Sequence, residues 1–155
     1  MSTPSSERTR YALVGTGSRA QMYLSALAET YTDIAELVCW ADTNPGRLRW
    51  SAHHFTERSV AVPATFAVDA LAATIREHRI DTVIITTPDH THARYIVEAL
   101  DAGADVVVEK PLTVNEDGVA AIADAVARTG RSVTVTFNYR YAPRNAALKQ
   151  GIANG

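Results

Sequence analysis

Apolar residues in this chain come in short runs with little alternation, at Tyr11–Val14, Glu36–Ala41, Val60–Val62, Thr82–Thr86, Asp105–Val108 and Ser132–Thr136. Runs of this length, rich in Val, Ile and Leu, predict strands buried on both faces. The longer stretches between them fit helices over Arg19–Glu29, Pro45–His54, Val68–His78, His92–Ala102 and Glu116–Thr129, and a last one over Ala142–Ile152. Asn115, followed by Glu116 and Asp117, reads as an N-cap with an acidic first turn, and Gly103 and Gly130 read as C-terminal stops. Strand and helix alternate throughout, which predicts an α/β fold with a doubly wound parallel sheet.

Composition narrows the picture. At 155 residues the chain has the length of one domain. An apolar fraction of 46% and a charged fraction of 21% are ordinary for a globular protein. The net charge of −2 argues against nucleic acid or an anionic membrane as a partner. No apolar stretch approaches the length of a membrane span. Residues 1–9 are polar, lack an apolar signal segment and read as a loose tail. Cys39 is the single cysteine, so no intrachain disulfide can form; it reads as a small buried hydrophobe in a cytoplasmic protein.

The chemistry begins at the first strand. Tyr11-Ala12-Leu13-Val14 runs into Gly15-Thr16-Gly17-Ser18-Arg19-Ala20, then a helix, then a second strand ending on Asp42. This is the order of a dinucleotide-binding turn of the Rossmann type. Gly15 permits the sharp turn. Gly17, with no Cβ, lets a pyrophosphate lie against the backbone. Ala20 allows close packing of helix on strand, and the helix start presents N–H groups to phosphate. Asp42, about 22 residues beyond the turn, suits the adenosine ribose hydroxyls and repels a 2′-phosphate, favouring NAD over NADP. Arg47, about one helical turn into the next element, is placed to stack on adenine or approach a phosphate.

Two further clusters fall at strand ends on the same face: Thr86-Thr87-Pro88-Asp89-His90-Thr91-His92 after the fourth strand, and Glu109-Lys110-Pro111 after the fifth. Lys110 can donate to a substrate oxygen, with its pKa open to tuning by Glu109 and by burial; a solvated Glu109–Lys110 pair is the bland alternative. Asp89, His90 and His92 also invite a metal, but the strand-end context and the neighbouring dinucleotide turn account for them better, and no metal is expected.

The Gly-rich turn, the Thr-Pro-Asp-His-Thr-His run, Glu109-Lys110-Pro111 and Phe137-Asn138-Tyr139-Arg140-Tyr141, in this order, resemble the N-terminal domain of the Gfo/Idh/MocA family (glucose–fructose oxidoreductase, inositol dehydrogenase and relatives). The resemblance covers the chain from about Arg10 onward. It implies an NAD(P)-dependent oxidoreductase that moves a hydride between nicotinamide and a sugar, inositol or related polyol. It places Gly15, Gly17, Ser18, Arg19 and Ala20 along the pyrophosphate, and Asp42 at the adenosine ribose. Thr87, Pro88, Asp89 and His92 would line the middle of the dinucleotide, and Glu109 the nicotinamide ribose. Lys110 would be the catalytic residue. Asn138 would meet the nicotinamide end, and Arg140 the substrate. Together with strand-end geometry it also implies a cis Lys110–Pro111 peptide.

The family's second, α/β substrate domain supplies an acid and a histidine that this sequence does not contain. Residues 10–141 are therefore expected to form a single dinucleotide-binding domain, and 142–155 a helix leading toward that domain. The 155 residues alone are expected to be inactive and to self-associate through exposed apolar surface, as a homo-oligomer. Two other readings stand beside the dehydrogenase: an NAD-dependent glycosidase of the same family, and a non-catalytic dinucleotide-binding module. Glu109-Lys110-Pro111 favours chemistry over binding alone.

Overall fold

In the computed structural model, which describes residues 8–154, six strands form one parallel sheet in the order β3-β2-β1-β4-β5-β6. The strands are β1 (Thr9–Val14), β2 (Ala35–Ala41), β3 (Ala64–Thr65), β4 (Thr82–Ile85), β5 (Asp105–Glu109) and β6 (Val133–Thr136). The helices are α1 (Gln21–Ser25), α2 (Pro45–Glu57), α3 (Leu71–His78), α4 (His92–Asp101), α5 (Glu116–Thr129) and α6 (Pro143–Ala153). The chain order reverses between β1 and β4, and a crevice opens beyond the strand ends at such a switch point.

Alternate residues of the central strands feed two cores, one on each face of the sheet. Ala12, Val14, Val83 and Ile85 join α3, α4 and α5 in the larger one. Leu13, Ile84 and Trp40 join Ala20, Leu24 and Phe55 in the smaller one, where Trp40 meets Phe55 edge-on at 5.2 Å between ring centroids. Each fully buried Leu, Ile or Val contributes roughly 1.5–3 kcal/mol. Burial on both faces explains the unbroken apolar runs.

Register sets the site. Val14 pairs with Ala41 on one side and Ile85 on the other, Ile85 with Val108, and Glu109 with Thr136. The next residues along β1, β2 and β4 (Gly15, Asp42 and Thr86) therefore emerge at one edge of the sheet, beside Glu109. Asn44 caps α2 by accepting from the Gly46 N–H at 2.8 Å, and Asn115 caps α5 by accepting from Gly118 at 2.8 Å.

Three expectations are corrected. The third strand is not Val60–Val62 but the two-residue edge strand Ala64–Thr65 beside Cys39 and Trp40. Val60 is apolar because it packs on the smaller core, not because it pairs. The first helix is not one regular helix over Arg19–Glu29. A 3-10 turn at Ser18–Ala20 leads into α1, and a wider π turn over Ala26–Thr30 follows. That wider turn sets Leu27 and Ala28 together against the smaller core. β1 starts at Thr9, whose N–H donates to the Ile34 carbonyl, so the last residue assigned to the tail belongs to the sheet. Residues 1–7 of that tail lie outside the described residues. No helix among the described residues is long and apolar enough to cross a membrane.

Candidate cofactor site

Gly15 and Gly17 do different work in the turn after β1. Gly15 has φ +93°, and a Cβ there would stand 3.0 Å from the backbone of Thr86 and Thr87. Its N–H donates to the Ala41 carbonyl and its carbonyl accepts from the Thr86 hydroxyl, so it ties three strand ends together. Gly17 has ordinary φ, and a Cβ there would meet only Arg47 Nη1, at 4.0 Å. Its bareness serves the outside of the turn, where an anion can approach the backbone. Ala20 is fully buried under the helix start, and Ser18 is exposed.

Asp42 fastens this turn. Its Oδ2 accepts from the Thr16 N–H at 2.7 Å and the Thr16 hydroxyl at 3.1 Å, while Oδ1 accepts from the Asn44 N–H at 2.7 Å. The side chain is only 3% exposed, with Arg47 Nη1 3.9 Å from Oδ2. Sequence spacing marks Asp42 as a ribose acceptor; its bond to Thr16 across 26 positions is visible only in the fold.

A cavity of about 260 Å³ lies between the turn, the end of β2 and the loop after β4. Gly15, Gly17, Asp42, Arg47, Thr87 and Pro88 line it, as the sequence suggests, and so does His90, which carries no named role in the motif. Asp89 is exposed in the 3-10 turn before α4 and is not among the residues lining this cavity. His92 is fully buried beneath the loops. Its Nδ1 lies 2.8 Å from the Pro111 carbonyl and its Nε2 2.9 Å from the Thr87 carbonyl. It braces the loops after β4 and β5 from below, and burial keeps its ring off the crevice surface where it was expected.

The other end of the crevice is organised by Glu109, whose side chain is 6% exposed. Oε1 accepts from the Tyr23 hydroxyl at 2.8 Å and the Thr136 hydroxyl at 3.0 Å; Oε2 faces Arg19 Nε at 2.9 Å. Burial alone would push this carboxyl up, but the hydrogen bonds from Arg19, Tyr23 and Thr136 outweigh it and hold the carboxyl below the usual glutamate range. Burial, with the bond to Glu109, pushes the Tyr23 phenol up to about 12, so it remains a donor. Glu109 thus pairs with Arg19 rather than with Lys110, which corrects the picture of a solvated Glu109–Lys110 pair. Tyr23 and Thr136 were missed because neither belongs to a motif.

Lys110 is exposed, its peptide to Pro111 is cis, and among the described residues it has no ion-pair partner. It opens on a cavity of about 490 Å³ lined by Arg19, Phe137, Asn138 and Tyr139. Arg140 belongs to the short 3-10 turn Asn138–Tyr141, and its side chain lies outside the described residues.

These features fit a dinucleotide: a phosphate-accessible turn, a carboxylate and an arginine at one end, a lysine and an amide at the other. The comparison with known proteins decides the lineage. The Gfo/Idh/MocA model, described as an oxidoreductase family with an NAD-binding Rossmann fold, matches residues 9–137. The chain belongs to this family. It is 34% identical over 151 residues to an inositol 2-dehydrogenase of Rubrobacter xylanophilus, covering 97% of this chain and 41% of that protein. It is 32% identical over 148 residues to the scyllo-inositol 2-dehydrogenase (NAD(+)) of Bacillus subtilis, covering 96% and 41%. Among solved structures it resembles the WlbA dehydrogenase of Chromobacterium violaceum in complex with NADH and UDP-GlcNAcA, with a TM-score of 0.81 and 27% identity over 97% of this chain and 41% of that one. The chain thus spans about two-fifths of the length of these relatives. As an NAD-binding Rossmann domain of the family, it takes NAD as its cofactor.

Proposed function

We propose that the chain is the cofactor-holding part of an NAD-dependent oxidoreductase that oxidises a secondary hydroxyl of a sugar, an inositol or a related polyol. In this reading the exposed backbone at Gly17 and the Ser18 hydroxyl receive the pyrophosphate. Asp42 and Arg47 hold the adenosine ribose, with Thr87 and Pro88 along the middle. Asn138 orients the nicotinamide amide. The nicotinamide, when bound, takes up the hydride. Lys110 donates a hydrogen bond from Nζ to the reacting oxygen and polarises it. Glu109 stays behind this surface, where it positions Lys110 by fixing the end of β5.

The observation that carries the reading is the placement of Lys110. A lysine with no ion-pair partner among the described residues stands at the end of a strand locked by a three-donor carboxylate, facing a cavity of about 490 Å³ that also contains Asn138. A module that only binds the dinucleotide needs the phosphate turn and Asp42, not this arrangement.

The test is NAD reduction, followed by absorbance, with the product of the whole gene against inositols, hexoses and hexitols. Turnover is expected, and Lys110→Met is expected to lower it by about 10²–10⁴-fold while NADH still binds. Full activity in Lys110→Met would exclude the role given to this residue. The 155 residues by themselves are expected to bind NADH without turnover. Phe137 and Tyr139, which line the Lys110 cavity, are 58% and 78% exposed, so this side of it stands open to water.

A further inference from the structure

We propose that Arg19 recognises a carboxylate on the substrate, so that the polyol served by this site is a sugar acid rather than a neutral sugar or inositol. The inference rests on the reading that the Lys110 cavity receives the substrate.

Arg19 follows Gly17 and Ser18 and was expected to border the pyrophosphate. The fold turns it the other way. It lines the cavity of Lys110 and Asn138, and is not among the residues lining the two cavities that share Gly17 and Arg47. Its Nε is engaged by Glu109 Oε2 at 2.9 Å. That contact fixes the plane of the guanidinium and leaves the two terminal nitrogens, with four N–H donors, for another group. Among the described residues no hydrogen bond or ion pair engages them, and the side chain is 42% exposed. A planar pair of donors held by its own Nε matches the two oxygens of a carboxylate.

Charge points the same way. Among the described residues the cavity is lined by two cations, Arg19 and Lys110, and by no carboxylate. The one acid nearby, Glu109, is buried behind Arg19 with both oxygens occupied. An oxidised nicotinamide brings a further positive charge to this end of the crevice. Glu109 already balances Arg19, so the charge that a substrate carboxylate would offset is that of Lys110 and the nicotinamide. The exposed rings of Phe137 and Tyr139 supply apolar surface for the C–H faces of a sugar ring.

The same donors would also suit the cofactor's pyrophosphate, so the experiment separates the two anions. The chain is titrated first with ADP-ribose and with NADH. The NADH-loaded product of the whole gene is then titrated with D-glucuronate and with D-glucose, following dihydronicotinamide fluorescence. Glucuronate is expected to act at concentrations roughly tenfold or more below glucose. Arg19→Gln is expected to abolish that preference while leaving ADP-ribose affinity within about twofold, and Arg19→Lys to restore only part of it, since a lysine keeps the charge but not the fork. Tyr23→Phe, which removes one donor to Glu109 but leaves the Arg19–Glu109 pair in place, is expected to retain the preference; its retention would show that loss in Arg19→Gln does not come from a loosened strand end.

Equal responses to glucuronate and glucose, or no response to either, would overturn the proposal. So would a large loss of ADP-ribose affinity in Arg19→Gln, which would return Arg19 to the pyrophosphate. Failure of the unsubstituted chain to bind ADP-ribose would instead remove the cofactor reading, and this proposal with it.

Discussion

The Tyr23 hydroxyl donates to Glu109 Oε1 at 2.8 Å, joining the helix behind the glycine-rich turn to a strand end 86 positions later. The pair ties the two halves of the site together. Because hydrogen bonds hold the Glu109 carboxyl below its ordinary value of 4.5, its stabilisation is fully present above that value and is lost as pH falls through the lower folded-state value. Glu109→Gln is expected to destabilise the chain by about 1–3 kcal/mol at neutral pH. The gap to the unsubstituted chain should shrink as the pH is lowered below 4.5. Urea denaturation across this range measures it. A gap independent of pH would show that the ionised carboxylate is not what the fold stabilises.

The two glycines of the turn should separate folding from binding. Gly15→Ala places a Cβ 3.0 Å from the Thr86 carbonyl group at a φ of +93°. A loss of about 1–3 kcal/mol in stability is expected. Gly17→Val meets open space apart from Arg47, so the fold should survive, but the new side chain occupies the phosphate approach. Circular dichroism with an ADP-ribose titration tests both. Normal binding by a folded Gly17→Val chain would mean the pyrophosphate lies elsewhere.

Asp42 should decide between NADH and NADPH. Its side chain stands at the proposed ribose position, so calorimetry is expected to show NADH bound at least about tenfold more tightly. Asp42→Ala should narrow the difference mostly by weakening NADH, because Thr16 loses its acceptor as well as the ribose. Tighter binding of NADPH by the unsubstituted chain would contradict the assignment.

His92 should matter without touching the ligand. Replacement by Leu removes the partner of the Thr87 and Pro111 carbonyls and is expected to cost about 1–3 kcal/mol. With the loop after β5 loosened, NADH should weaken more than ADP-ribose, which lacks the nicotinamide end. Equal weakening of the two would place the effect in the loop after β4 alone.

Most of the fold could be read from the sequence because the central strands are buried on both faces. Val83-Ile84-Ile85 and Val106-Val107-Val108 have no polar alternation to confuse them. The edge strand β3 could not be read this way: Ala64 and Thr65 are exposed, and only their pairing with β2 makes them a strand. In the site, local motifs marked Gly15, Gly17, Asp42 and Lys110, because each lies near its own strand end. What each side chain faces was not legible. Arg19 lies in the phosphate turn by sequence yet reaches Glu109. His92 lies in a polar run yet is buried under two loops. Tyr23 and Thr136 carry no motif, and their role follows from register, since Thr136 pairs with Glu109 across β5 and β6.

The central claim is that one dinucleotide spans the crevice from Asp42 to Lys110. Backbone amide NMR of the 155-residue chain during NADH titration tests it directly. Saturable shifts are expected at Thr16, Gly17 and Thr87 and also at Lys110 and Asn138, with ADP-ribose reproducing only the first group. Saturable shifts clustered away from both groups, or no saturable shifts at all, would contradict the account.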